Sequence, residues 1–101
     1  MAIYYVIIEA VPKPDNTESK EFGGAFVGCW VKAATRKEAR ARAKGHVDKE
    51  GWEYVKTEEL FKVDRSLYME DPETLEYYDY ACENGMSSIF NTWPLHEDEL
   101  S

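Results

Sequence analysis

The stretch of chain whose residue types are best suited to binding runs from residue 70 to residue 83. Its sequence, EDPETLEYYDYACE, combines six acidic residues with three tyrosines and contains no Lys or Arg. Aromatic side chains supply affinity at protein interfaces, and carboxylates attract a partner of opposite charge. This stretch therefore predicts a surface for a basic partner, formed by Glu73, Glu76, Tyr77, Asp79, Tyr80 and Glu83. The alternative is that Tyr78 packs in the core and the other tyrosines pack at the helix edge.

A second group of charged residues is basic and recurs every four positions. Arg36, Arg40 and Lys44 would lie along one line of a helix, where they could bind an anion such as a nucleic-acid phosphate. The alternative, which we favour, is the solvated outer face of a helix whose other face packs on a sheet. The chain has a net charge of −8, which would repel a nucleic acid from the remaining surface. Nucleic acid is therefore an unfavoured partner.

Residues that bind metals in other proteins lack the spacing that a metal site requires. The chain has two cysteines and two histidines, at Cys29, Cys82, His46 and His96. They form neither a Cys-x-x-Cys pair nor a His-x-x-x-His pair, so no metal site is expected. Cys29 lies within a predicted strand, where a thiol is usually buried and unreactive.

The motifs of common catalytic sites are also missing from the sequence. There is no Gly-x-Ser-x-Gly motif and no glycine-rich phosphate loop. We therefore expect a protein that is not an enzyme and that carries no cofactor. The alternative is a small enzyme or ligand-binding protein with a pocket between sheet and helices. Aromatic residues would line that pocket, among them Trp30, Trp52 and Trp93.

The three basic residues lie in a predicted helix that directly follows a predicted strand, and the two elements together lie between Gly23 and Gly51. Residues 24–34 alternate between two faces that both carry apolar side chains, which predicts a central strand. Thr35 and Glu38 form a capping box at the start of the helix, and Gly51 is its expected left-handed end. One stripe of the helix is small and apolar and should face the sheet closely: Ala39, Ala43 and Val47.

The other elements follow from the same periodicities and from turn residues. The predicted strands are 2–11, 24–34, 52–63 and 87–93. A break in alternation at Thr57-Glu58-Glu59 suggests a bulge in the third strand or a shift of the chain toward solvent. Asp71-Pro72 predicts the start of a second helix, and Asn84-Gly85 predicts its end.

The resulting order, β-β-α-β-α-β, predicts an α+β fold. We expect an antiparallel-rich sheet with two helices on one face, in a ferredoxin-like or related sandwich. The length of 101 residues fits a single domain over residues 1–94, followed by an acidic tail over residues 95–101. No apolar run reaches the length of a membrane span and no signal peptide precedes the first strand. We therefore expect a cytoplasmic protein that binds another protein and no membrane, with a homodimer left open.

Part of this pattern is similar to that of a known family. Gly28 and Cys29 are followed six residues later by Thr35, and then by Glu38 and Ala39. This arrangement resembles HicB-type antitoxins, in which a strand ending in Gly-Cys leads into a Thr-x-x-Glu-Ala helix start. The resemblance covers about residues 3–50. It implies a small α+β domain that blocks a basic RNA-cleaving toxin. The net charge of −8 and the acidic tyrosine stretch are likewise typical of an antitoxin or immunity-type inhibitor, and the whole chain resembles a small bacterial protein.

Overall fold

A computed structural model of the chain describes residues 1–95. Its strands and α-helices are β1 (Ala2–Pro12), β2 (Phe22–Ala33), α1 (Arg36–Lys49), β3 (Trp52–Val63), α2 (Pro72–Asn84) and β4 (Met86–Pro94). Two short 3-10 helices, Thr17–Lys20 and Arg65–Tyr68, lie between them. The predicted acidic tail lies outside the described residues except for Leu95. Within residues 1–95, no helix has both the length and the apolar character needed to cross a membrane.

The strands form one antiparallel sheet in the order β3-β1-β2-β4. β1 and β2 are the inner strands, which confirms the prediction that residues 24–34 form a central strand. The α+β class, the antiparallel sheet and the order β-β-α-β-α-β are also confirmed. The predicted bulge is present in β3, because Glu58 has no partner in the register between β3 and β1.

Each face of the sheet is covered by a different helix. On one face Val6 and Val27 pack against α1, whose small stripe around Ala43 is fully buried. On the other face Trp30 packs with Ala81 of α2. This corrects the prediction that both helices lie on one face, as in a ferredoxin-like sandwich. Because β1 and β2 are apolar on both faces, both faces need a cover, and the layers are helix, sheet and helix.

Both helices begin and end where the local sequence predicts. The side chains of Thr35 and Asp71 each accept a hydrogen bond from the backbone N–H three residues further on, at 3.1 and 3.3 Å. These bonds satisfy N–H groups that have no partner within the helix. Beyond the other ends, Gly51 and Gly85 have φ angles of 87° and 100°, which glycine adopts without strain. Local sequence therefore sets the start of β4 directly after α2.

Aromatic rings occupy the space above two glycines of β2. A Cβ atom on Gly24 would lie 2.3 Å from Cζ2 of Trp93, and one on Gly28 would lie 2.8 Å from the hydroxyl of Tyr5. A larger residue at either position would displace an aromatic side chain of the neighbouring strand. The absence of a side chain at these two glycines leaves room for aromatic rings from the adjacent strands. Both rings lie on the face of the sheet that α2 covers only in part.

Candidate functional site

An open groove of about 760 Å³ lies between α2 and the first half of β4. Its lining contains all six residues predicted for the partner surface, Glu73, Glu76, Tyr77, Asp79, Tyr80 and Glu83, together with Ser87 and Ser88. Gly85 alone separates helix from strand, so the outward side chains of α2 are held beside the sheet edge. We call this feature the acidic groove.

The four carboxylates of the acidic groove differ in their partners. Arg65, from the second 3-10 helix, donates two hydrogen bonds to Asp79, from Nε at 3.0 Å and from Nη2 at 3.2 Å. The bond to Asp79 also raises the pKa of Arg65. Glu73, Glu76 and Glu83 form no ion pair within residues 1–95. The negative charge available to a ligand therefore comes chiefly from the three glutamates.

The three tyrosines of α2 have different surroundings. Tyr77 stacks on Trp30, with ring centroids 5.1 Å apart and ring planes 12° apart, so one face of its ring is covered. Tyr78 packs against Tyr68 with centroids 5.8 Å apart, and burial raises its pKa. Tyr80 is 56% exposed. Tyr80 is thus the tyrosine with most surface for a partner, while Tyr77 anchors α2 to the sheet.

Two serines that the sequence analysis did not single out tie both helices to β4. The hydroxyl of Ser87 donates to the backbone carbonyl of Tyr77 in α2. On the opposite face, the hydroxyl of Ser88 is hydrogen-bonded to Nε2 of His46 in α1 at 2.8 Å. Strand alternation sends the two neighbouring hydroxyls to opposite faces. The position of the β4 edge relative to each helix is thereby fixed.

A smaller cleft of about 260 Å³ opens beside the acidic groove and shares Glu73 and Tyr77 with it. Tyr5, Trp30, Tyr68, Thr74 and Ile89 complete its lining. This cleft is on the α2 side of the sheet and is largely aromatic. It supplies apolar surface next to the carboxylates of the groove.

The tryptophans do not line a common pocket, so the prediction of a site formed by all three is wrong. Trp30 contributes to the aromatic cleft beside α2. Trp52 lies on the α1 face, where its ring centroid is 5.4 Å from that of Phe90. Trp93 packs on Phe26, away from α2, with centroids 5.1 Å apart. Strand register separates them by face and by position along the sheet.

The predicted anion-binding line lies on α1, across the sheet from the acidic groove. Arg36 and Arg40 are exposed, and Nζ of Lys44 lies 4.4 Å from the ring centroid of Tyr54. Such a contact holds one of the three cations against the sheet edge. The basic and acidic surfaces of the protein therefore lie on opposite faces of one sheet.

The cysteines are free thiols on opposite faces of the sheet. Cys29 is fully buried under α1, and burial raises the pKa of its thiol to about 12. Cys82 lies in α2 and is partly exposed. Within residues 1–95, no group of three or more potential metal ligands occurs. His96 lies outside these residues.

Comparison of the chain with models of protein families, with curated proteins and with solved structures found no match in any of the three. The resemblance of residues 3–50 to HicB-type antitoxins therefore stays a prediction. Any assignment of function has to come from the chain's own geometry. In the acidic groove, the six residues that the sequence predicts as a surface for a basic partner line one cavity.

Proposed function

We propose that this protein is a non-enzymatic interaction module that binds a basic partner protein in the acidic groove. The observation that carries the proposal is the convergence of four carboxylates and the exposed Tyr80 on one groove beside a sheet edge. Inhibition of a basic RNA-cleaving toxin is the use that the resemblance to HicB-type antitoxins implies. The same surface would serve any partner that presents clustered Lys or Arg residues.

The distribution of charge supports binding in one orientation. Residues 32–49 hold seven of the twelve Lys and Arg residues but only two of the twenty acids. This basic segment forms α1 and the end of β2, whereas α2 carries four carboxylates and no Lys or Arg. A basic partner would be attracted to the α2 side and repelled from the α1 side. Such polarity accelerates association and suppresses wrong orientations.

The test compares two variants with the same change in net charge. In the groove variant Glu73, Glu76 and Glu83 are replaced by Gln. In the control variant three exposed acids elsewhere are replaced, as Asp15→Asn, Glu53→Gln and Glu59→Gln. The probe is the fluorescent peptide Lys-Val-Lys-Thr-Lys-Val-Lys, and binding is followed by anisotropy at low ionic strength. The groove variant should bind about tenfold more weakly than the control, a difference of about 1.4 kcal/mol.

Equal affinities of the two variants would contradict the proposal, because net charge alone would then explain the attraction. Thermal unfolding checks that both variants remain folded. Tyr80→Ala should weaken the peptide complex without changing the melting temperature, since its ring is largely exposed. Tyr77→Ala should lower the melting temperature, because Tyr77 stacks on Trp30. The two variants therefore distinguish a tyrosine that contacts the partner, Tyr80, from a tyrosine that holds α2 against the sheet, Tyr77.

A further inference from the structure

The two edges of the sheet differ in their protection against pairing with another strand. β3 carries five charged residues along its length: Glu53, Lys56, Glu58, Glu59 and Lys62. Its register with β1 also shifts twice, leaving Val55 and Glu58 without partners. Charged side chains and bulges are the devices by which proteins keep an edge strand from pairing with other chains. The β3 edge has both.

The β4 edge has neither device. Its nine residues, MSSIFNTWP, include no charged side chain. Its pairing with β2 is regular from Met86 to Trp93, and the one shift near its end places the extra residue, Gly23, in β2. No residue of β4 is fully buried. Every second residue of such an edge directs its backbone N–H and C=O away from the sheet, where a further strand can bind.

The surroundings of β4 define the chemistry of a strand that would add to it. On the α2 side the edge is bordered by the acidic groove, with Glu76 and Glu83 among its carboxylates. On the α1 side it is bordered by His46, which is bonded to Ser88, and near its start by Arg42, whose Nη2 would lie 3.2 Å from a Cβ atom on Gly85. Because side chains alternate along a strand, one face of a strand added to the first half of β4 would meet the groove acids, and the other would meet Arg42 and His46.

We infer that the partner binds as an extended basic segment that pairs with β4 as a fifth strand, with alternate Lys or Arg side chains in the acidic groove. The inference rests on the proposed function and specifies how the partner is held. In this mode main-chain hydrogen bonds supply affinity, and the alternate side chains supply specificity. The alternation also keeps cations away from Arg42 and His46.

A second copy of this chain fits the same edge less well than a basic segment does. Its β4 brings no cation to the acidic groove. It would instead bring another set of groove carboxylates and a further net charge of −8. Charge complementarity therefore favours a basic segment over self-association.

The first test uses two peptides of identical composition. The alternating peptide is Lys-Val-Lys-Thr-Lys-Val-Lys, and its isomer is Lys-Lys-Lys-Lys-Val-Val-Thr. Both carry the same charge, but only the alternating peptide places all its lysines on one face of a strand. It should bind about tenfold more tightly than the isomer. Amide hydrogen exchange should slow in β4 on binding and stay unchanged in β3.

The second test methylates backbone nitrogens of the alternating peptide. Residues that share a side-chain face also direct their N–H groups to the same edge of the strand. One peptide is therefore methylated at internal lysines and another at the valines and threonine. Only one of the two sets can face β4, so one methylated peptide should lose binding and the other should keep it.

The outcomes separate this inference from the proposed function. If both methylated peptides and the block isomer bind as tightly as the parent, strand addition is overturned, although weaker binding by the groove variant would still support the proposed function. If no basic peptide binds, both fail. If the protein sediments as a dimer that dissociates when Asn91 and Thr92 are replaced by Lys, the β4 edge belongs to a second copy and the inference is overturned.

Discussion

The two faces of the sheet are built from the same strands but differ in composition and in cover. The centre of the α1 face is filled by aliphatic residues with no exposed surface, including Val6, Ile8, Val27 and Ala43. The α2 face is largely aromatic and stays partly open, with Phe26 42% exposed and Phe61 38% exposed. We therefore expect the α1 face to supply most of the stability of the fold, while the α2 face has surface left for binding.

Element length explains why the α2 face stays open. α2 has 13 residues and is about 20 Å long, whereas β1 and β2 each span about 36 Å or more. The helix also has to connect β3 at one edge with β4 at the other, so it crosses only one end of the sheet. Its cover ends near Trp30 and Ile89. The aromatic cleft lies beside this end of the cover.

The largest effect expected from this comparison comes from two neighbouring isoleucines of β1. Ile8 is fully buried on the α1 face, and Ile7 is half-buried on the α2 face. Ile8→Ala should lower the free energy of unfolding by about 2–5 kcal/mol, because it removes buried methyl groups and leaves a cavity. Ile7→Ala should cost clearly less, since part of its side chain is already in water. Denaturant unfolding of the two variants measures the difference.

Equal losses at Ile7 and Ile8 would show that the two faces contribute alike to stability. The division into a stabilising face and an open face would then be wrong. A larger loss at Ile7 would contradict it further.

Much of the fold was predictable because it depends on local periods and caps. The alternation in β1 and β2, the caps Thr35 and Asp71, and the terminal glycines all act within a few residues of chain. The placement of α2 depends instead on strand order, which local sequence does not specify. One signal was nevertheless present in the sequence. Two central strands with apolar residues on both faces require cover on both faces, which two helices on one face could not provide.

The candidate site was predictable only in part, for a similar reason. The outward residues of α2 followed from helical spacing and composition. The pairing of Arg65 with Asp79 did not, because it depends on the path of the chain before α2. The role of β4 as an edge depends on strand order as well. The absence of charged residues from β4 is visible in the sequence. It indicates an unprotected edge only when the strand order places β4 at the edge of the sheet.

The second prediction tests the packing of α1 on the filled face. Ala43 is fully buried and Ala41 is exposed on the same helix. Ala43→Leu adds three carbons where there is no room and should cost roughly 1–3 kcal/mol of unfolding free energy. Ala41→Leu should be nearly neutral. Equal costs by denaturant unfolding would mean that the α1 face has unfilled space.

The third prediction uses the cysteines, one on each face. Burial raises the pKa of Cys29 from 9.0 to about 12, so the unfolded chain loses this proton at lower pH than the folded chain. Stability should therefore be full below about pH 8 and fall as the pH rises through 9 toward 12, by about 1.4 kcal/mol between about pH 8 and about pH 10. Cys29→Ala should remove this part of the slope. Cys82→Ala, on the open face, should leave it unchanged, and a slope that survives in Cys29→Ala would contradict the prediction.

The smallest effect concerns Asp79 on the open face, measured as affinity for the alternating lysine peptide. Asp79 already accepts two hydrogen bonds from Arg65, whereas Glu76 forms no ion pair among the described residues. Asp79→Asn should therefore weaken binding by no more than about twofold, the scale of an exposed ion pair, and Glu76→Gln should weaken it more.

Arg65→Gln should have the opposite sign, because it releases the carboxylate of Asp79 to the peptide. The double variant, Arg65→Gln with Asp79→Asn, should bind like the unchanged protein, since it removes one positive and one negative charge together. Anisotropy titrations of the four proteins form one thermodynamic cycle. If Arg65→Gln weakens binding in both backgrounds, Arg65 acts through the position of α2 rather than through its charge. In that case the open face depends on the 3-10 helix before α2 for its shape.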